Sequence, residues 1–119
     1  MPITQYLIIG NGAAGATAAE TIRRHDPAGA ITILTAEPYP MYSRPGLAYA
    51  LLNEIPIKQV FCRTLAWYEQ LNLNLVLGKA SRLDVMNRLV WLEDGRSLSY
   101  DRLLIATGAR ATPPPYPGH

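Results

Sequence analysis

Three glycines stand at the spacing G-x-G-x-x-G in Gly10-Asn11-Gly12-Ala13-Ala14-Gly15, and a carboxylate, Glu37, follows twenty-two residues after the last of them. That pattern suits a dinucleotide, which brings two phosphates close to the main chain. Gly10 allows a tight turn from strand to helix, and Gly12, with no Cβ, lets the backbone approach a pyrophosphate. Gly15 lets the helix pack closely on the strand. N–H groups at the helix start, around Ala13 and Ala14, then point at the anion with the helix dipole behind them. Glu37 is placed to accept hydrogen bonds from ribose hydroxyls, and a carboxylate there repels a 2′-phosphate.

These residues need a strand before them, a helix after them and a second strand to carry the acid. Tyr6-Leu7-Ile8-Ile9 is a continuous apolar run and reads as a strand buried on both faces of a parallel sheet. The small-residue stretch 16–25 reads as helix, with Arg23, Arg24 and His25 near its C-terminus, where they suit the dipole. Asp26-Pro27-Ala28-Gly29 stops it, and Ile31-Thr32-Ile33-Leu34-Thr35 is a second buried strand ending just before Glu37. Together they make one βαβ unit of about 30 residues. A glycine pattern alone reads equally as a flexible loop; strand, helix, strand and acid in order select nucleotide binding. The unit holds NAD as readily as FAD, so by itself it leaves the cofactor open.

Downstream, residues 38–58 are punctuated by Pro and Tyr and read as an excursion over a ligand site, with a short helix over 47–53. A helix over 64–71 would put Leu65, Tyr68 and Leu71 on one face, and 74–77 is a third strand. The period then changes. Leu83, Val85 and residues 89–92, with Asp94-Gly95 as a tight turn before Leu98 and Tyr100, make a small antiparallel meander. Arg102-Leu103-Leu104-Ile105-Ala106 restores a buried parallel strand that runs into Thr107-Gly108. The proline-rich stretch 112–119 is a stiff linker by composition. The fold class is therefore α/β: a three-layer, Rossmann-like FAD/NAD(P)-binding domain whose parallel sheet carries an inserted antiparallel meander.

The chain has 119 residues, room for one compact domain, and 49% hydrophobic with 17% charged residues is globular composition. Its eleven Lys and Arg residues form no run and the net charge is only +2, so no nucleic-acid partner is expected. One cysteine, Cys62, forbids an intramolecular disulfide and a Cys-rich metal site; it reads as an ordinary buried thiol in a reducing compartment. Nothing resembles a signal peptide or a membrane span, and a cytoplasmic protein is expected.

The strand ending Ala106-Thr107-Gly108, preceded by Tyr100-Asp101 and by a meander, resembles the second fingerprint of the two-dinucleotide-binding flavoproteins, the pyridine nucleotide-disulfide oxidoreductase superfamily. Tyr42-Ser43-Arg44-Pro45-Gly46-Leu47, Trp67-Tyr68-Glu69 and Gly78-Lys79-Ala80 look most like its rubredoxin reductases, ferredoxin reductases and NADH-dependent nitrite reductases. The resemblance implies FAD bound extended, its ADP pyrophosphate at residues 10–15 and its ribose on Glu37. It also implies that Arg44 lies near the phosphates or the flavin half and that the backbone near Ala80 faces adenine. Ala106, Thr107 and Gly108 would line the groove, with Arg110 as a further phosphate charge. No residue is implied as a catalytic acid, base or nucleophile, and none as a metal ligand.

Two departures narrow the branch. The Cys-x4-Cys pair of the disulfide reductases is missing, so no dithiol relay is expected; and Tyr49 stands where rubredoxin-reductase relatives often carry a lysine. The resemblance further implies a second unit for NAD(P)H after a Pro-Gly linker such as Pro117-Gly118. Residues 1–111 are then the incomplete FAD-binding domain, and 112–119 the linker toward an NAD(P)H-binding domain absent from these residues. The expected activity of the whole protein is electron transfer from NAD(P)H through FAD to an unknown acceptor, with this piece alone inactive. An open sheet edge gives a route to a homodimer. Two other classes stay open at this level: a non-catalytic NAD- or ADP-binding interaction module, and a structural subunit with an eroded site.

Overall fold

The computed structural model describes residues 2–109 together with 115 and 117. Four parallel strands run in the order β3-β2-β1-β7, where β1 is Gln5–Ile9, β2 Ala30–Thr35, β3 Leu73–Leu77 and β7 Arg102–Ile105. Helix α1 (Ala13–His25) connects β1 to β2. Helix α2 (Arg44–Leu51), a 3-10 turn (Ile57–Val60) and helix α3 (Leu65–Gln70) lie between β2 and β3. Between β3 and β7 the chain forms a separate antiparallel sheet of β4 (Ala80–Asp84), β5 (Leu89–Leu92) and β6 (Ser97–Ser99).

Two apolar clusters account for the apolar runs of β1 and β2, whereas β7, read as a buried strand, leaves Leu104 and Ile105 exposed. On one face of the parallel sheet Ile8, Ile31, Ile33 and Leu73 pack with Ala19 of α1 and Tyr68 of α3. On the other, Leu7 and Leu34 pack with Val90 and Leu92 of the meander. Alternate side chains of one strand therefore enter different layers, so Leu7 and Ile8 are both about 1% exposed. Helices, sheet and meander make the three layers expected from the sequence.

Arg23 closes the helical layer. Its Nε donates to the Leu71 carbonyl at 2.8 Å, one terminal nitrogen to the carbonyls of Asp26, Pro27 and Gly29, and the other to Asn72. One guanidinium thus serves the carbonyls that α1, its following turn and the end of α3 leave without helical partners. Tyr6 of β1 donates its hydroxyl to Asp26 Oδ2 at 2.8 Å, tying the strand to the same turn.

Element boundaries differ from the sequence reading for local reasons. Helix α1 starts at Ala13, not residue 16, because the glycine loop itself makes the first turn, with Ala16 N–H donating to Gly12 O. Helix α2 occupies Arg44–Leu51 and not 47–53: Ser43 Oγ accepts from Gly46 N–H, Pro45 suits the first turn, and Asn53 at φ 59° ends the region. Leu65 does not share the buried face with Tyr68; it is largely exposed, whereas Leu71 packs on the core. Cys62 is exposed, not buried, because Val60 takes the inward position in that irregular stretch. The proposed linker over 112–119 lies outside the described residues except for 115 and 117.

Arg23→Met should keep the aliphatic stem and lose the donors; a urea melt is expected to show a loss of about 2 kcal/mol, as for hydrogen bonds to a charged group. The Asp26 hydrogen bond raises the Tyr6 pKa above its ordinary value of 10.0. The protonated phenol is the form the fold favours, so this contribution is whole below pH 10.0 and fades as pH climbs through the folded-state value. Tyr6→Phe should therefore be less stable than wild type at neutral pH, and the gap should narrow in melts above pH 10.0.

Candidate dinucleotide-binding groove

The C-terminal ends of β1, β2, β3 and β7 are locked together by main-chain bonds. Gly10 N–H donates to Leu34 O, Ala106 N–H to Ile9 O and Gly78 N–H to Thr35 O, each at 2.8 Å. Ends held level in this way leave a groove outside the sheet, the place where open parallel sheets bind ligands. It has a volume of about 350 Å³. Gly10, Asn11 and Gly12 form one wall, and Glu37, Tyr39 and Tyr42 another. Gly78, Lys79, Ala80 and Glu93 come from the meander side; Ala106, Thr107 and Gly108 follow β7.

The three motif glycines do three different things. Gly10 has φ +117°, and a Cβ there would lie 2.1 Å from the Ala106 carbonyl oxygen. Gly15 is buried beneath the loop, where a Cβ would lie 2.1 Å from Gly10 O. Gly12 is unlike either: its φ is −86° and a Cβ would meet nothing within 4 Å. The first two are demanded by the protein's own packing, whereas Gly12 borders open space that a ligand can use. Gly12 also caps α1 without a side chain, and the first turn of α1 carries no acidic residue. The amides of Ala13, Ala14 and Gly15 have no carbonyl four residues back inside the helix, so an anion can take them.

Glu37 is held at the opposite wall. Its Oε2 accepts from the Tyr42 hydroxyl at 2.7 Å. The buried Thr35 hydroxyl accepts from Glu37 N–H at 3.2 Å and donates to Glu37 O at 3.0 Å, fixing the backbone. A short bond into a carboxylate is of the strong, charge-assisted kind. On the glycine side, Asn11 Nδ2 donates to Tyr39 O at 3.2 Å and Asn11 Oδ1 accepts from the Tyr68 hydroxyl at 2.7 Å. Beside the groove, and sharing Glu37, Tyr39 and Tyr42 with it, lies a smaller apolar hollow of about 260 Å³ bounded by Leu47, Ile57, Val60 and Phe61.

Of the residues singled out in the sequence, Gly10, Gly12, Glu37, Ala80, Ala106, Thr107 and Gly108 line this one groove. Ala13 and Ala14 sit exposed in the first turn of α1. Arg44 is the first residue of α2, and Arg110 lies outside the described residues. Asn11, Tyr39, Tyr42 and Tyr68 were not singled out for the site. Their contacts cross up to 57 residues of chain, as between Asn11 and Tyr68, and carry no spacing signal. Cys62 lines neither hollow. Among the described residues no group of three or more His, Cys, Asp or Glu could hold a metal ion, and no helix is long and apolar enough to cross a membrane.

The family described as pyridine nucleotide-disulphide oxidoreductase matches residues 4–119. The ferredoxin–NAD(+) reductase component of the p-cumate 2,3-dioxygenase system of Pseudomonas putida is 40% identical over 109 residues, covering 91% of this chain and 27% of that protein. The crystal structure of the putidaredoxin reductase–putidaredoxin complex superposes with a TM-score of 0.88 at 29% identity, over 94% of this chain and 27% of the other. NADH:rubredoxin oxidoreductase from Clostridium acetobutylicum gives 0.86 at 31% identity, over 98% and 30%. The chain thus spans about a quarter of the length of the relatives it matches.

Gly10→Ala and Gly12→Ala should separate packing from binding. The first is expected to cost at least about 3 kcal/mol in a urea melt, through strain and a backbone clash. Gly12→Ala should cost about 1 kcal/mol or less as a poorer cap and still weaken nucleotide binding measured by titration calorimetry.

Proposed function

The chain belongs to the pyridine nucleotide-disulphide oxidoreductase family, and from that premise we propose that it is the FAD-binding portion of an NAD(P)H-dependent flavoprotein oxidoreductase. Residues 1–111 form that portion, and 112–119 lead toward an NAD(P)H-binding domain outside these residues. The observation that carries the reading is the pairing of open space above Gly12 with the Tyr42-held carboxylate of Glu37 across one groove. An adenosine diphosphate moiety has a feature for each: an anion for the amides of Ala13 and Ala14, and a ribose diol for Glu37.

The remaining roles are those that the family resemblance implies. Main chain at Gly78, Lys79 and Ala80 faces the adenine end, and Ala106, Thr107 and Gly108 wall the groove along the cofactor. Arg44 and Arg110 supply phosphate charge, for which a guanidinium fork is suited. FAD, when bound, supplies hydride acceptance and onward electron delivery; the protein's share is to bind, orient and shield it. With one cysteine, exposed and away from the groove, this segment contributes no dithiol. The whole protein, working in the cytoplasm, passes electrons from NAD(P)H to an acceptor of the ferredoxin or rubredoxin type, in keeping with the names of its relatives.

Titration of the purified 119-residue chain with FAD, NAD and ADP tests this. FAD and ADP are expected to bind, and Glu37→Gln to weaken both by about 1–3 kcal/mol. NAD binding in clear preference to FAD would point instead to the interaction-module reading. No turnover of NADH with a dye acceptor is expected from this segment alone.

A further inference from the structure

The Tyr68 hydroxyl stands at the join between the two walls of the groove. Its ring is core, 3% exposed, packed among Ile8, Ala19, Ile33 and Leu73 and edge-on to Trp67 at 4.9 Å between centroids. A phenylalanine would satisfy that packing. The hydroxyl is a separate matter, since a buried O–H is costly unless bonded. It has two bonds, and they go to different segments: it accepts from Met41 N–H at 2.9 Å and donates to Asn11 Oδ1 at 2.7 Å.

The direction of each bond is settled by the network. Met41 N–H can only donate, so the phenol proton is left for Asn11. The Asn11 amide must then turn its oxygen to Tyr68 and its nitrogen to the Tyr39 carbonyl. Tyr39 and Met41 flank Pro40 in the segment that leads from Glu37 to Tyr42, and Asn11 lies between Gly10 and Gly12. A single hydroxyl on α3 therefore clamps the carboxylate-bearing segment to the glycine loop.

We propose that Tyr68 is a positioning residue that sets the distance between the diphosphate cradle at residues 12–14 and the ribose-binding carboxylate of Glu37, acting through Asn11 and Met41. This rests on the nucleotide site proposed above. Without the clamp both walls persist, but a nucleotide held by one no longer meets the other in register. Binding energy from the two anchors is then not added in full, because alignment is part of what each contact requires.

The test is a double-mutant cycle read by titration with FAD and with ADP. Wild type comes first: if it binds neither nucleotide, the proposed site fails, and this proposal with it, before any variant is made. Given binding, Tyr68→Phe is expected to weaken both nucleotides about fivefold, the loss of a bonded hydroxyl's contribution. Glu37→Gln, costly in wild type, should cost about threefold less in the Tyr68→Phe background, since coupled sites are non-additive. Asn11→Ala reaches the same clamp from its partly exposed end and should reproduce the reduced Glu37→Gln penalty, including where Tyr68→Phe fails to fold. Equal Glu37→Gln penalties in all three backgrounds, or wild-type affinity in Tyr68→Phe, would overturn the proposal. A hydroxyl that merely stabilises the core would lower the melting temperature and leave that penalty unchanged.

Discussion

At the end of β1 the main chain turns so sharply that the Ala106 carbonyl occupies the place where a Cβ on Gly10 would be, 2.1 Å away. This contact sets β1 against β7, while Gly10 N–H holds the end of β2 through Leu34 O. Gly15 closes on Gly10 O with the same tightness and brings α1 down onto the turn. Sheet, helix and loop are thereby fixed by main-chain contacts that no side chain can replace. The amides at the start of α1 are placed by this corner, where a Cβ on either Gly10 or Gly15 would meet main chain at 2.1 Å. An anion bound at these amides, as proposed above, would owe its site to packing.

The second wall has a different origin. It belongs to the start of the excursion between β2 and β3, where residues 36–41 form no helix or strand and rely on side-chain bonds for their shape. Thr35 folds back on Glu37, Tyr42 reaches Glu37 from five residues on, and Tyr68 reaches in from α3. Tyrosine suits such a segment. Its ring gives apolar contact to the layer below, and its hydroxyl bonds to a polar group above. A wall built this way depends on contacts distant in sequence, so the excursion, more than the glycine loop, determines how well ribose and phosphate are matched.

The asymmetry also governs what could be read from residues alone. The βαβ unit was legible because its demands are local: unbroken apolar strands, small residues on α1, glycines where backbones touch. Glu37 was legible because its distance from the glycine loop is set by one helix and one strand. Ala80, Ala106, Thr107 and Gly108 came from the resemblance and not from any local pattern, yet they line the same groove. Asn11, Tyr39, Tyr42 and Tyr68 were not legible as site residues, since the bonds among Asn11, Tyr39 and Tyr68 join segments distant in sequence and a tyrosine has the same local signature whether it packs, caps or binds. Arg23 was read as a dipole partner at the end of α1, whereas its five bonds join two helix ends and the turn between α1 and β2. Cys62 misled for a related reason: the general tendency of a free thiol to be buried says nothing about which of two neighbours, Val60 or Cys62, takes the inward position.

A groove that is to hold a diphosphate while carrying Glu37 and Glu93 has an electrostatic problem, for carboxylates near phosphates repel them. Part of the answer is chemical. The Tyr42 hydroxyl donates into Glu37 at 2.7 Å and offsets part of its charge. Another part is the clean positive end of α1, whose first turn holds no acid to compete with a ligand. The last part is distance, since amides and carboxylate stand on separate walls, which the proposed nucleotide would have to span. A site with fixed dipoles on one side and one oriented carboxylate on the other favours a molecule with anion and diol at one separation, and penalises a second phosphate on the ribose. Selectivity therefore resides in the spacing of the walls more than in the strength of either.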